Sequence, residues 1–376
     1  SACHPSTGGH SERRIDDGYD QFFWSHDSAE IWNTNEYHQW VRRKGADGNS
    51  TESPHSPHIR TGPPAQHHQT TWCAEKAIEF IEQSARFEQP WLFSVNMFDP
   101  HHPFDPPEEY LKRYLDRLDE IPLPNYEPGE LEDKPQWQSI DHRGAYGGNA
   151  GLPYNDMSNR DHRLVRAAYW AMCDLIDEQV GRILDALEQS GQREDTIVIF
   201  MSDHGEMLGD HGVYLKGPYF YEPAIRVPLI ISWPNEFPPR EDQSLVELTD
   251  IAPTLLEAAG LPSHPGMQGH SLLARLRGET EAAPAREDVY CEYYNAMPWH
   301  RDPTPQMTMV RTDRYKIAVD HAHSGGELYD LEADPTETHN RWKDPSYSEV
   351  KTDMLLRLSN RMAFTVDPLP LRRAPW

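Results

Sequence analysis

Cysteine is scarce in this chain. Its 376 residues include 4, Cys3, Cys73, Cys173 and Cys291, scattered and with no Cys-x-x-Cys pair. That spacing argues against a disulfide framework and against a zinc–thiolate site. No apolar run approaches the roughly 18 residues of a membrane span. Positive charge is also in short supply: Lys+Arg 35 against Asp+Glu 61 gives a formal net charge of -26. Such a balance disfavours nonspecific binding to nucleic acid or to an anionic membrane, so neither is expected as a partner. It does not forbid a local cationic pocket inside an acidic shell. The chain opens at Ser1 with no initiator Met, no signal peptide and no first strand. It reads as a start within a longer protein, so the lack of a targeting segment carries no information about location.

Proline and glycine are present in quantity, Pro 33 and Gly 23, which points to long, structured connections. Residues 1–70 are polar, with one short helix expected at NEYHQWVRRKG. From Thr70 the pattern changes. TTWCAEKAIEFIEQSARF has apolar residues at helical spacing, with Thr70 or Thr71 as the expected N-cap. PWLFSVNMF reads as a buried strand running into the Pro-rich loop DPHHPFDPP, and residues 105–160 as a surface excursion. A long amphipathic helix ends near Gly191. DTIVIFMS and VPLIISWP read as strands, and LTDIAPTLLEAAG as a helix stopped at Gly260. Strands alternating with helices predict an α/β fold with a mixed sheet flanked by helices. After about residue 286 the pattern becomes one of alternating strands and turns with a final helix. The expected division is therefore 1–285 for the α/β domain and 286–376 for a small C-terminal α+β antiparallel subdomain.

The segment SDHGEMLGDHGVYLKGPYFYEPAIRVPLIISWP concentrates the chemistry. Asp203 and His204 follow directly on a strand end, where open α/β sheets bind ligands. A carboxylate and an imidazole side by side are suitable partial ligands for a divalent cation. Lys216 adds a cation able to pair with an anionic group. Asp-His-Gly is by itself a common turn, and DPHHPF, with His101, is weak on its own.

Taken in order, the segments resemble the sulfatase family of the alkaline phosphatase superfamily. DDGYDQFF, AIEFIEQSARFEQPWLFSVNMFDPHHPF, SDHGEMLGDHGVYLKGPYFYEPAIRVPLII, LTDIAPTLLEAAG and ELYDLEADPTETHNRW resemble successive family signatures along nearly the whole chain. The resemblance implies that Asp203 and His204 are metal ligands and that Lys216 and His101 grip sulfate oxygens and act in catalysis. It implies a sulfuric ester hydrolase that uses a divalent metal, Ca²⁺ first and Mn²⁺ as the alternative, because His204 stands where many relatives have Asn. The implied nucleophile is a formylglycine, made from the Cys or Ser of Cys-x-Pro/Ala-x-Arg, and the implied substrate is a sulfate ester of a small molecule or sugar.

Two parts of the family pattern are missing. Cys3-His-Pro-Ser-Thr has Thr7 in place of the arginine, and Cys3 lies too close to Gly18 for the intervening helix and loop. Asp16-Asp17 has no apolar strand before it, so it reads as a loop and not as the family's metal-binding Asp pair. The expectation is that the nucleophile segment precedes Ser1, in a companion fragment or longer chain, and that these 376 residues alone are inactive. His211 reads as a loop residue or one that supports the metal ligands. In NAMPWHRDPTPQ, His300 and Arg301 are candidate substrate contacts, with a solvated turn as the bland alternative. A phosphonate monoester or phosphodiester hydrolase and a noncatalytic anion-binding protein remain as other readings.

Overall fold

A computed structural model describes residues 18–25, 35–279, 286–294, 300 and 304–365. Cys3, Asp16, Asp17, Trp299 and Arg301 lie outside the described residues. In chain order the elements are α1 (Glu36–Arg43), β1 (Thr51–Glu52), β2 (Arg60–Thr61), α2 (Gln69–Ser84), α3 (Glu108–Leu115), α4 (Gln136–Asp141), α5 (Asn159–Gln189), β3 (Val198–Met201), α6 (Glu222–Ile225), β4 (Leu229–Ser232), α7 (Ile251–Ala258), α8 (Leu273–Leu276), β5 (Val289–Tyr294), β6 (Gln306–Arg311), β7 (Tyr315–Asp320), β8 (Gly325–Asp330) and α9 (Ser348–Phe364).

The chain divides into two compact units, one of Ser1–Pro124 with Asn155–Thr196, the other of Asn125–Tyr154 with Ile197–Trp376. In the first unit α2 starts one residue before Thr70, and its N-cap is His68, whose Nδ1 accepts the Thr70 N–H, rather than either threonine. α5 begins with a full capping box: Ser158 accepts the Asp161 N–H while Asp161 accepts that of Ser158. Residues 91–98 form no strand. They keep a strand's alternation, with Trp91 and Phe93 turned onto Phe80 and Leu92 65% exposed, yet no ladder pairs with them among the described residues. The apolar run was enough for an extended backbone; a strand also needs a hydrogen-bonded neighbour.

In the second unit β3 and β4 pair antiparallel, with Phe200 opposite Ile230. Both were expected as strands and both form, yet Ile230 is 61% exposed and Phe200 37%. Every strand pair among the described residues is antiparallel, the one parallel pairing there being the isolated bridge of Gly62 with Pro107, so the mixed sheet expected from the sequence is not seen among them. The C-terminal expectation fares better: β5, β6, β7 and β8 form a four-stranded antiparallel meander. α9 covers one face of it, burying Met354 and Leu358 against Val310, Ile317 and Leu328. The stretch read as a surface excursion is partly core. Trp137 and Asp141 on α4 are buried, and Trp137 packs with Phe220, Met307, Met309 and Ala318. Cys73, Cys173 and Cys291 are unpaired thiols.

Candidate active site

The loop after β3 is pinned from both sides. The Ser202 hydroxyl donates to the His204 carbonyl (2.7 Å), and the Gly205 N–H donates to the Ala224 carbonyl on α6 (2.8 Å). A Cβ at position 205 would lie 1.9 Å from the Pro223 carbonyl oxygen, so only glycine permits this approach. Asp203 and His204 are thereby placed side by side. Asp203 Oδ1 accepts the His204 N–H at 3.0 Å and stands 3.8 Å from His204 Nε2, while His204 Nδ1 donates to the Gly205 carbonyl at 2.9 Å. Burial, then the Lys216 charge, lowers the His204 pKa and keeps the ring neutral, the form that ligates metals.

The donors fit one side of a cation site and no more. No group of three or more His, Cys, Asp and Glu side chains able to hold a metal occurs among the described residues. Calcium takes about 6–8 oxygen ligands, so Asp203 and His204 supply a fraction of a coordination shell.

The chain next turns back on itself from Met207 to Leu215, whose backbones bond at 3.1 Å. Leu208, His211 and Leu215 have φ of 48°, 54° and 65°, a left-handed backbone that non-glycine residues adopt only where their surroundings hold them. Glu206, which sequence reasoning passed over, holds Leu208 and Leu215. Its Oε1 accepts the Leu215 N–H at 2.6 Å and the Leu208 N–H at 3.2 Å. Burial pushes its carboxyl up to about 7, against the opposing effects of Lys216 and the loop N–H groups. The signal lay in the sequence as an acid inside an otherwise apolar and glycine-rich loop, but its burial did not. His211 is also buried: Nδ1 lies 2.5 Å from Glu130, and the ring stacks on Tyr221 with centroids 3.8 Å apart. It braces the loop.

Lys216 follows. Its Nζ is buried and has no hydrogen-bond partner among the described residues. Burial lowers its pKa to about 8, with Glu206 and Asp203 acting to raise it. An ammonium withdrawn from water with its donors unused is prepared for an anion.

His300 is no solvated turn. It is 4% exposed, and Nε2 lies 2.9 Å from Oδ1 of Asp141. His101 belongs to the first unit, in the loop after residue 98. Its N–H bonds to the Phe98 carbonyl (3.1 Å), its ring stacks on His102 and lies tilted against Phe98 with centroids 4.6 Å apart, and Nδ1 meets the His102 carbonyl at 2.5 Å. The loop is anchored by Asp99, which accepts the Thr70 hydroxyl at 2.6 Å at the start of α2 and lies 3.4 Å from His68.

Comparison with known proteins bears on the whole arrangement. The family profile "Sulfatase" matches residues 1–261, and "N-sulphoglucosamine sulphohydrolase, C-terminal" matches 209–363. An uncharacterized sulfatase of Escherichia coli, YidJ, is 32% identical over 79% of this chain and 56% of its own length. An arylsulfatase of Clostridium perfringens is 27% identical over 89% of this chain and 68% of its own. The chain thus spans between half and about two thirds of these curated relatives. Among solved structures, a phosphonate monoester hydrolase from Silicibacter pomeroyi superposes with a TM-score of 0.75 at 22% identity, covering 89% of this chain and 70% of the other. BT4656, solved with its substrate D-glucosamine-2-N,6-O-disulfate, superposes with a TM-score of 0.65 at 22% identity, covering 82% and 71%. These likenesses establish the fold. The chain belongs to the sulfatase family of the alkaline phosphatase superfamily.

Proposed function

We propose that the protein hydrolyses sulfate monoesters and that Lys216 receives the sulfate group. The observation that carries this reading is the buried Lys216 ammonium, without a hydrogen-bond partner among the described residues, on the same loop as Asp203 and His204. Below a pH of about 8 Lys216 is charged and offsets the negative charge on the sulfate oxygens, charge that shifts toward the ester oxygen as its bond to sulfur breaks. The family resemblance assigns His101 to a sulfate oxygen and to proton delivery at the leaving oxygen; its ring orientation is set within the first unit by Phe98 and the His102 carbonyl. Asp203 and His204 are assigned to a divalent metal, Ca²⁺ first and Mn²⁺ second, held with further ligands. When bound, such an ion polarises the sulfate. The family's nucleophile, a formylglycine, is assigned to no residue of this chain, so the steps named are confined to the chain's own side chains. His300 and Arg301 are assigned to the alcohol portion of the substrate.

A phosphonate monoester hydrolase is the second reading, favoured by the superposition on the Silicibacter enzyme. Turnover of 4-nitrophenyl sulfate against phenyl phosphonate monoesters by the full-length protein separates the two, and a preference for the phosphonate overturns the first. Asp203→Ala is expected to abolish metal retention measured by elemental analysis. Unchanged metal content removes Asp203 from that role.

A further inference from the structure

The end of α4 and the turn after it lie against the loop that carries Lys216, within the same unit. The contacts fall on successive points of that loop. His142 Nδ1 donates to the Gly212 carbonyl at 2.6 Å, and a Cβ at 212 would stand 2.7 Å from the same nitrogen. Asp141 lies against Gly217, where a Cβ would stand 2.8 Å from Oδ2. Tyr146 meets the residue between them. Burial first, then Glu206, Tyr293 and Asp141, raise its phenol, and the polar main chain of Lys216 acts the other way, which puts the hydroxyl against the Lys216 backbone. With Leu215 N–H already on Glu206, residues 215, 216 and 217 each meet a polar side chain brought from elsewhere in the unit.

The turn itself is wound tightly to reach this position. Gly148 N–H donates to the Gly144 carbonyl at 2.7 Å, Ala145 N–H to the Gly151 carbonyl at 2.8 Å, and Gly147 N–H to Asp141 Oδ1 at 2.9 Å. Gly147 and Gly148 are left-handed, with φ of 65° and 92°. So is Tyr146, with φ of 54°, although it is a bulky residue and 4% exposed. Glycine would take this backbone without strain. A tyrosine held there is strained, and such residues gather where a side chain has a task that its surroundings enforce.

The task follows from what Lys216 lacks. Its ammonium has no hydrogen-bond partner among the described residues to fix its direction, and its stem has four rotatable carbons. The direction in which it points is therefore set by the main chain it leaves from. A charge contributes in full only when it is already aimed, and a misplacement of about 1 Å is enough to lose much of the effect. We infer that Tyr146 is a positioning residue: with His142 and Asp141 it fixes the main chain at 212–217 and so aims the Lys216 ammonium at the sulfate. The inference rests on the reading of Lys216 as the sulfate site. Tyr146 touches no substrate in this arrangement and acts through Lys216 alone.

Calorimetric titration of the full-length protein with inorganic sulfate tests this. Tyr146→Phe removes one oxygen and keeps the ring. It is expected to weaken sulfate about fivefold while the number of sites per chain stays the same. A variant that merely folds less well would lose sites and keep its Kd. In the Lys216→Ala background the same substitution is expected to change Kd less than about twofold, because the group it acts through is gone. An unchanged Kd for Tyr146→Phe, a loss of sites at constant Kd, or an equal weakening with and without Lys216 overturns the inference. If Lys216→Ala binds too weakly to titrate, the Kd and site number of Tyr146→Phe decide alone. Weaker sulfate binding by Lys216→Ala keeps the sulfate-site reading standing whatever Tyr146 shows. Unchanged binding there, or no sulfate binding by the unmutated protein, overturns that reading and this inference with it.

Discussion

Lys316 and Lys216 are both withdrawn from water in the second unit, and their surroundings could hardly differ more. Lys316, on β7, is 1% exposed, and its ammonium is saturated: it meets Glu337 at 2.6 Å, Glu222 at 2.7 Å and the Phe220 carbonyl at 3.0 Å. Three donors find three acceptors, and the charge is balanced where it sits. Lys216 has its Nζ buried with no acceptor among the described residues, and burial draws its pKa down to about 8. Burial alone therefore does not separate a structural cation from one proposed to receive an anion. The number of its hydrogen bonds already in use does. Lys316 joins α6, β7 and the turn at Glu337; Lys216 is held ready by Glu206, which organises the loop without satisfying the ammonium.

The largest effect that sharpens the contrast is Lys316→Ala. Stranding Glu337 and Glu222 in the interior costs about 3–5 kcal/mol, read as a large fall in Tm with the anion-site residues untouched. Lys216→Ala should invert the pattern. Loss of a preorganised charge at the reacting group costs roughly 10²–10³ in turnover, while Tm holds or rises. A fall in Tm like that of Lys316→Ala would erase the distinction drawn here.

The pH dependence follows the same logic. Because the Lys216 pKa is depressed from its ordinary 10.5 to about 8, the folded state carries a buried ammonium at a cost below about 8. That cost is relieved as pH rises from about 8 to 10.5, so its contribution to stability increases across that window. Sulfate binding runs the other way, weakening about tenfold per pH unit above 8 as the ammonium is lost. A flat binding profile from pH 7 to 10 contradicts the assignment. Smallest is Gly217→Ala. Its Cβ would meet the Tyr219 ring at 2.5 Å and Asp141 at 2.8 Å, an overpacking that costs about 1–3 kcal/mol and displaces Lys216. Wild-type sulfate affinity in this variant would separate Lys216 from Gly217.

Much of the molecule is legible in the residues. The spacing in 159–189, with Ser158 and Asp161 ahead of it, specifies a capped helix from local interactions, and the alternation after residue 286 specifies the meander. The juxtaposition of Asp203 and His204 follows from adjacency past a strand end. Other features were not legible because they depend on distant partners. Nothing near Asp141 in sequence announces His300, 159 positions away. Nothing in EMLGDHG says that Glu206 is buried and accepts two loop amides. His68 outranked Thr70 as the cap because the Thr70 hydroxyl was committed to Asp99.

The sequence by itself determined the family, the helices, the C-terminal strands and the types of side chain available for anion and metal chemistry. These rest on composition, on periodicity and on contacts within a few residues. Only the tertiary structure decided which polar groups are spent and which are not. Lys316 and Lys216 look alike as letters, and so do the apolar runs at 91–98 and 229–232, of which only the second finds a ladder. Hydrogen-bond saturation and strand pairing are properties of the neighbours, and chain segments far apart in sequence bring those neighbours together.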